Sequence, residues 1–196
     1  MAMIDEVLVA LRDRLNELLQ ISYPNADSWI VLGGVGARSG ATSPEIANKI
    51  VMSLVNLQSD ASSGTFVQPR LADDQYFASP PPLSVDALVM LASHFDDANY
   101  TIGLARLSTL IAALQAAPVL TREDSPKLPQ ETDRIVVEFV SLDLSQVSSL
   151  MLATGAKYAP FALYRLRRLP FSAPAGAGVA PAVRTIRPAG QPPPPH

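Results

Sequence analysis

The chain has 196 residues, of which 48% are hydrophobic and 17% charged, and its net charge at pH 7 is −3. This length suits one domain with a tail, and the charged share lies below the roughly 25% of an average globular protein, so we expect the chain to bury extra surface against partners. It contains no cysteine, which excludes disulfides and thiolate metal sites, and no apolar run reaches the about 18 residues of a membrane span.

The first predicted element is a helix over residues 2–21. Its apolar residues recur at helical spacing, Asp5 and Glu6 lie where a helix N-terminus favours acids, and Pro24 ends it. The start of the chain lacks a basic segment and a cleavage site, so no secretory signal is predicted. We therefore expect folding in the cytoplasm, with any release by another route such as lysis. The apolar residues of the helix are Ile4, Val7, Leu8, Leu11, Leu15, Leu18 and Leu19.

Residues 25–45 are predicted to be mostly loop, with a short strand at Trp29–Leu32. The segment Gly33–Gly40 is rich in glycine, but it lacks the spacing of a phosphate-binding loop and the lysine that follows one, so a flexible loop is favoured over a nucleotide site. Residues 46–58 are ambiguous. Ser43, Pro44 and Glu45 could start a helix, whereas the nearly continuous apolar run could also be a strand buried on both faces.

Residues 59–82 are rich in Ser, Asp and Pro and are predicted to form a long exposed loop. An alternating strand over 83–95 and a helix over 98–116 follow, with Asp96 and Asp97 placed to cap the helix. This helix is apolar nearly all round, and Arg106 is its only charged residue. Such a helix is buried on more than one side, so we expect a neighbouring subunit to cover its outer side, with Arg106 and Ala113 as candidate interface residues.

Residues 134–140 are predicted to form a strand. Asp143 and Gln146 resemble a capping box for a helix through Thr154 that Gly155 terminates. The last predicted strand covers 161–169. Together these elements predict an α/β or α+β fold with one small mixed sheet and about three helices. In the last strand one face would carry Leu163, Arg165 and Arg167, and the other Ala162, Tyr164 and Leu166.

The composition changes at Pro170. The last 27 residues hold eight prolines and end in Gln-Pro-Pro-Pro-Pro-His, so an extended arm with polyproline II character is expected. We therefore divide the chain into a domain over 1–169 and an arm over 170–196.

Charge is unevenly distributed. Residues 1–143 carry 18 acidic and 9 basic residues, a net charge of −9, whereas residues 144–196 carry six basic residues and no acid. This uneven charge favours docking of the basic end on an acidic surface of a neighbouring copy or of another ring. The alternative is a solvated arm without a fixed partner. The arginines expected to make these contacts are Arg165, Arg167, Arg168, Arg184 and Arg187.

Nothing in the sequence predicts chemistry, a cofactor or a nucleic-acid site. The isoelectric point is near 5.3, and the arginines lack interleaved aromatic residues. His94 and His196 are too far apart in sequence to suggest a metal site or a triad. The carboxylate pairs Asp73–Asp74 and Asp96–Asp97 are sequence neighbours, which point apart in a strand or loop and suit paired acid–base work poorly.

Several segments carry a family resemblance. Pro81-Pro82-Leu83 opens a strand that leads through Asp96-Asp97 and a helix to Ala117-Pro118-Val119-Leu120, and Ser141–Ser145, Gly155–Pro160 and Ala162–Arg165 follow. This order resembles the tail-terminator, or sheath-cap, family of extracellular contractile injection systems, the phage-tail-like particles of the antifeeding-prophage and virulence-cassette type. Relatives typically carry tryptophan where Met151 stands here.

The resemblance implies a structural protein without catalytic activity or cofactor. It favours the strand for residues 46–58. The implied partners are further copies in a homohexameric ring and the sheath and inner-tube proteins that the ring would terminate. Two other hypotheses are another adaptor of the same particle, at the baseplate or within the tube, and a monomeric ligand-binding domain that uses the Gly33–Gly40 loop.

Overall fold

The computed structural model describes residues 4–24, 28–34, 46–59, 70–72, 75–77, 83–130, 132–155, 158–171 and 179–181. The helices in these ranges are α1 (Ile4–Ser22), α2 (Tyr100–Ala116, preceded by a 3₁₀ turn at Asp97–Asn99) and α3 (Leu144–Thr154). The strands are β1 (Ile30–Leu32), β2 (Lys49–Ser59), β3 (Arg70–Ala72), β4 (Gln75–Phe77), β5 (Leu83–His94), β6 (Val119–Thr121), β7 (Arg134–Val140), β8 (Phe161–Phe171) and β9 (Val179–Pro181).

Six strands form one mixed sheet in the order β1-β2-β5-β8-β7-β6. β1 pairs with β2 in parallel, and the other neighbours are antiparallel. α1 and α2 pack on one face of this sheet, and α3 packs on the other. The predicted α+β class is confirmed.

The strand alternative for residues 46–58 is confirmed, since β2 spans Lys49–Ser59. Ile50 and Met52 join the core beneath the helices, while Val51 alternates to the opposite face and is also fully buried. Burial on both faces over Ile50–Ser53 puts three apolar residues in succession, so neither the strand period nor the helix period was clear in this part of the sequence.

Two parts of the sequence prediction are wrong. The predicted loop 59–82 contains β3 and β4, which pair antiparallel, and β9 from the predicted arm pairs with β4. The strands β3 and β4 are separated by only two residues, a spacing typical of a hairpin. In addition, the last strand was predicted to end at 169, whereas β8 runs to Phe171, because Pro170 and Phe171 pair with Ser84 and Leu83. The division into domain and arm stays a prediction.

Asn16 fixes the edge strand β1 to helix α1. Its side-chain Oδ1 accepts the backbone N–H groups of Trp29 and Ile30, at 2.9 Å each, and its Nδ2 donates to the carbonyl oxygen of Ile30 at 3.1 Å. One amide side chain thus satisfies three backbone groups at the start of a three-residue strand. This pairing positions the Trp29 ring beside α2.

Gly103 allows α2 to approach the sheet closely. A Cβ at this position would lie 2.5 Å from Ser93 Oγ and 2.7 Å from the ring of Phe95. Gly103 is buried, on the helix face that also carries Leu107, Leu110 and Leu114. The residue therefore sets the distance between helix and sheet at the start of α2.

Gly103→Ala should lower the free energy of unfolding. Overpacking a dense core costs about 1–3 kcal/mol, which outweighs the gain of about 1 kcal/mol from the better helix propensity of alanine. Urea denaturation measures the difference. Ser108→Ala, at an exposed position of the same helix, serves as the control and should be near neutral. A Gly103→Ala variant as stable as the wild type would show that the contact can relax.

Of the two predicted helix caps, the one at α3 is observed as predicted. Asp96 caps the 3₁₀ turn before α2 and not α2 itself: it accepts the backbone N–H of Asn99 at 2.9 Å, Asp97 lies within the turn, and Asn99, the N-cap of α2, makes no side-chain cap. At α3, Asp143 Oδ1 accepts the N–H of Gln146 at 2.8 Å, and Gln146 Oε1 accepts the N–H of Asp143 at 3.0 Å. Gly155 ends α3 with a φ of 63°, in the left-handed region that favours glycine.

The Asp143 cap should make α3 sensitive to acid. Hydrogen bonds from the Gln146 N–H and the Ser145 hydroxyl lower the pKa of Asp143. A carboxyl whose folded pKa lies below the unfolded value, about 3.9, stabilises the fold above that pH and loses this contribution as the pH falls through the folded value. Hydrogen-exchange protection of α3, corrected for intrinsic exchange, should therefore fall below about pH 4.

Asp143→Asn is the matched variant, because it keeps a capping oxygen that does not titrate. Its α3 should lose less protection than the wild type over the same acid range. Equal acid sensitivity in both proteins would contradict the assignment to this carboxyl.

Candidate interaction surfaces

The outer face of α2 is exposed and carries no charge. Its large apolar side chains include Leu104, 36% exposed, and Ile111, 37% exposed. The buried face, four residues with the spacing of a single stripe, packs on the sheet. Nothing among the described residues covers the outer side of α2. The neighbouring subunit that the sequence led us to expect would have to cover it. We call this stripe the α2 face; it consists of Thr101, Leu104, Ala105, Ser108, Ile111, Ala112 and Gln115.

Ala113 was predicted to be exposed, and that prediction is wrong. It is half-buried, because it lies at the border between the buried stripe and the α2 face. Ala112, the preceding residue, is exposed near the middle of the α2 face. Ala112 is therefore the position that probes this surface without disturbing the core.

Arg106, also predicted as an interface residue, is held inside the subunit. Its guanidinium stacks on the Trp29 ring and lies 4.9 Å from the centroid of the Phe95 ring. Its Nη1 donates to the carbonyl oxygen of Asn48 at 3.4 Å. Burial lowers the pKa of Arg106 to about 10, so the group remains a cation at neutral pH. These contacts, a cation–π interaction among them, join α2 to the residues just before β1 and β2.

Four charged side chains in the middle of α1, Arg12, Asp13, Arg14 and Glu17, also pair within the chain. Arg14 lies 3.5 Å from Asp124 and 3.4 Å from Glu17, while Asp13 accepts from both Arg12 and Lys127. The pairs with Asp124 and Lys127 link α1 to the segment after β6. Exposed pairs of this kind contribute about 0–1 kcal/mol each, so they orient the helix more than they stabilise it.

The basic residues of β8 meet carboxylates of their own sheet. Arg165 Nε lies 4.0 Å from Asp86 Oδ2, and Arg167 Nη1 donates to Glu138 Oε1 at 3.0 Å. Asp86 Oδ1 also accepts the backbone N–H of Arg168, whose φ of 61° accompanies a register shift between β5 and β8. Part of the basic surplus is thus balanced inside the subunit. Arg184 and Arg187 lie outside the described residues, and docking of the basic end on a partner stays a prediction.

A groove opens between the end of β7, helix α3 and the start of β8. Its exposed side chains include Tyr158, 74% exposed. Phe139, 54% exposed, also borders the groove, but its ring packs edge-on against Tyr164 on the α1 and α2 side of the sheet. Helix α3 contributes few contacts to the core, and Leu144 is 86% exposed. Sequence reasoning did not identify this surface, although α3 has no charged residue. We call it the α3 groove; it is lined by Phe139, Val140, Ser141, Leu142, Leu144, Val147, Tyr158, Phe161, Ala162 and Leu163.

Met151 packs at the inner side of α3, half-buried against the cluster of Met90, Ala92 and Leu163. Methionine is flexible and fills irregular gaps well, which suits this small contact. The α3 helix therefore rests on the sheet through a small apolar contact.

The described residues offer no catalytic arrangement. His94 ends β5, half-buried, and burial lowers the pKa of its imidazole. No group of three histidine and carboxylate side chains in the described ranges could hold a metal ion. None of the helices in those ranges is long and apolar enough to cross a membrane. Gly33 donates its N–H to the Met52 carbonyl and so extends the pairing of β1, while residues 35–40 of the glycine-rich segment lie outside the described ranges.

Residues 6–185 of the chain match the family described as the Pvc16 N-terminal domain. The chain belongs to this family. The match covers most of the sequence and confirms the resemblance to the tail terminators of contractile injection systems. None of the proteins with curated descriptions shows significant similarity to the chain.

Two solved structures share the fold of this Pvc16 N-terminal domain. One is the sheath/tube terminator of the PVC extracellular contractile injection system in its extended state, with a TM-score of 0.59 and 13% identity, covering 96% of this chain and 63% of that one. The other is the tube-terminating cap of the anti-feeding prophage, with a TM-score of 0.51 and 12% identity, covering 91% of this chain and 59% of that one. The present chain thus spans less than two thirds of the length of either protein.

Proposed function

We propose that this protein is a cap that terminates the sheath and inner tube of a contractile, phage-tail-like injection particle. The observation that carries the proposal is membership of the Pvc16 N-terminal domain family over residues 6–185. The shared fold with a sheath/tube terminator and a tube-terminating cap supports the same role. In this role the protein ends assembly by its shape and has no chemical step to perform.

The cap would be a homohexameric ring in which the α2 face is covered by the next subunit. The support is an exposed helical stripe of seven residues without a charge, which is unusual for a surface that faces only water. A heterologous contact that closes on itself gives a ring with two different faces. One face would meet the last layer of sheath and tube, and the other would offer no site for a further layer.

The remaining parts of the proposal follow from this role. The subunits would assemble in the cytoplasm and leave the cell as part of the particle. Their partners would be further copies and the sheath and tube proteins, with neither nucleic acid nor cofactor. The half-buried His94 would support the fold, so His94→Ala should remove no enzymatic turnover.

The proposal is tested by deleting the gene and imaging the purified particles. Particles without a cap should have sheaths and tubes of uneven length, because nothing stops addition of layers. Expression of the wild-type protein from a plasmid should restore a uniform length. Particles of normal and uniform length in the deletion strain would contradict the proposal, and loss of baseplates instead would favour the adaptor hypothesis.

A further inference from the structure

The α3 groove and the α2 face lie on opposite sides of the sheet. Helices α1 and α2 pack on one side, whereas α3 packs on the other, against the cluster that contains Met90 and Leu163. On the α3 side, Leu144 and Tyr158 line the groove and project almost entirely into solvent. Each subunit therefore presents two exposed apolar surfaces that point in roughly opposite directions.

Helix α3 receives little packing from its own subunit. None of its 11 residues is buried, although four of them are leucine or methionine. A helix of this length is marginal in water by itself, because most helical stability in proteins comes from tertiary packing of the apolar side. The helix also has no charged side chain that would favour an exposed position. A partner in the α3 groove would supply the missing packing.

The charges near the two surfaces favour an apolar partner for each. An acidic or basic partner on the α2 face would lose water without gaining an opposite charge. At the α3 groove, the exposed Asp143 lies between two lining residues in the chain, and its Oδ1 already accepts from the Gln146 N–H and the Ser145 hydroxyl. Interfaces commonly combine an apolar centre with a polar rim, and Asp143 suits such a rim.

A ring that repeats one contact needs two different surfaces on every subunit. Contact between two copies of the same surface would close a dimer instead. We infer that the α2 face of one subunit packs into the α3 groove of the next. This inference rests on the proposed ring and names the second surface of its contact. An apolar helix face that lies in an apolar groove is a recurrent mode of recognition.

The chain has no cysteine, so the contact can be tested by cross-linking thiols that are introduced in pairs. Ala112→Cys places one thiol on the α2 face, and Leu144→Cys places another in the α3 groove. Particles that carry the double variant, treated with a short bismaleimide, should yield a ladder of products up to the hexamer. Mass spectrometry should find position 112 joined to position 144. Co-expression of the two single variants should give dimers only.

Either single variant expressed alone should give no cross-linked product. A product of Ala112→Cys or Leu144→Cys with itself would show contact between like surfaces and overturn the inference. A link from position 144 to a sheath or tube protein would overturn it as well. Capped particles without the 112–144 link would contradict this contact but not the capping role, whereas absence of the protein from the sheath end would contradict the role itself.

A pair of opposite charges provides a second test of the contact. Leu144→Glu should leave the subunit folded, because the side chain is exposed and the first turn of a helix favours an acid. Leu144→Glu alone and Ala112→Lys alone should each lower the fraction of capped particles about tenfold or more, because each places an unpaired charge in the contact. The two changes together should restore capping.

Normal capping by both single variants, or a double variant that caps no better than either, would overturn the inference. Circular dichroism of each purified variant should match the wild type. A charge at Ala153 should have no effect on capping, because that position lies about 180° around α3 from Leu144.

Discussion

Ala112→Glu should abolish cap formation while leaving the isolated subunit folded. The residue is exposed on the α2 face, and glutamate is nearly as good a helix former as alanine, so stability should change by no more than about 0.5 kcal/mol. In the proposed ring the carboxylate would be buried in an interface without an opposite charge. Leaving a charge buried and unpaired costs several kcal/mol, and each 1.4 kcal/mol weakens association about tenfold.

The measurement is the fraction of particles that carry a cap when the variant replaces the wild-type gene, together with sheath length. Ala153→Glu is the matched control, because it puts the same substitution at an exposed position of α3, on the other side of the sheet. The control should cap particles normally. If Ala112→Glu protein caps as many particles as the wild type, the ring contact does not use the α2 face.

Asn16→Ala should strongly destabilise the fold. It removes three hydrogen bonds and leaves the N–H groups of Trp29 and Ile30 without their acceptor. A hydrogen bond contributes about 1 kcal/mol, and a buried group left unpaired costs more, so we expect a loss of about 2–4 kcal/mol. The Trp29 ring, and with it the stacking contact of Arg106, should also become less ordered.

Urea denaturation measures the global loss, and fluorescence of Trp29, the only tryptophan, reports the local change. Gln20→Ala removes an amide from an exposed position of the same helix and should be near neutral. A loss below about 0.5 kcal/mol for Asn16→Ala would mean that the β1 backbone finds other partners.

The sequence predicted the elements that are specified by residues close together in the chain. The strand 134–140 and the capping box of Asp143 and Gln146 are observed where they were expected, because alternation and cap chemistry are local. β6 was not predicted as a strand; the residues around Pro118 were expected only to end α2. The three residues after Pro118 in fact pair with β7. An edge strand of three residues is too short to show a period in the sequence.

The candidate surfaces were harder to predict, because they depend on contacts between distant residues. Arg106 was expected at an interface because it is the lone charge of α2. Its guanidinium instead stacks on the ring of Trp29, which lies 77 positions earlier in the chain. The α3 groove combines β7, α3 and β8, and no single segment shows it. By contrast, the uncharged stripe of α2 was visible in the sequence, because it follows from the period of one helix.

The position of the protein on the particle tests the central proposal most directly. Particles purified from a strain in which the protein carries a compact tag should be labelled with a gold-conjugated antibody and imaged in the extended state. The capping role predicts label at the end of the sheath opposite the baseplate, with none along its length. Label at the baseplate or along the tube would contradict that role.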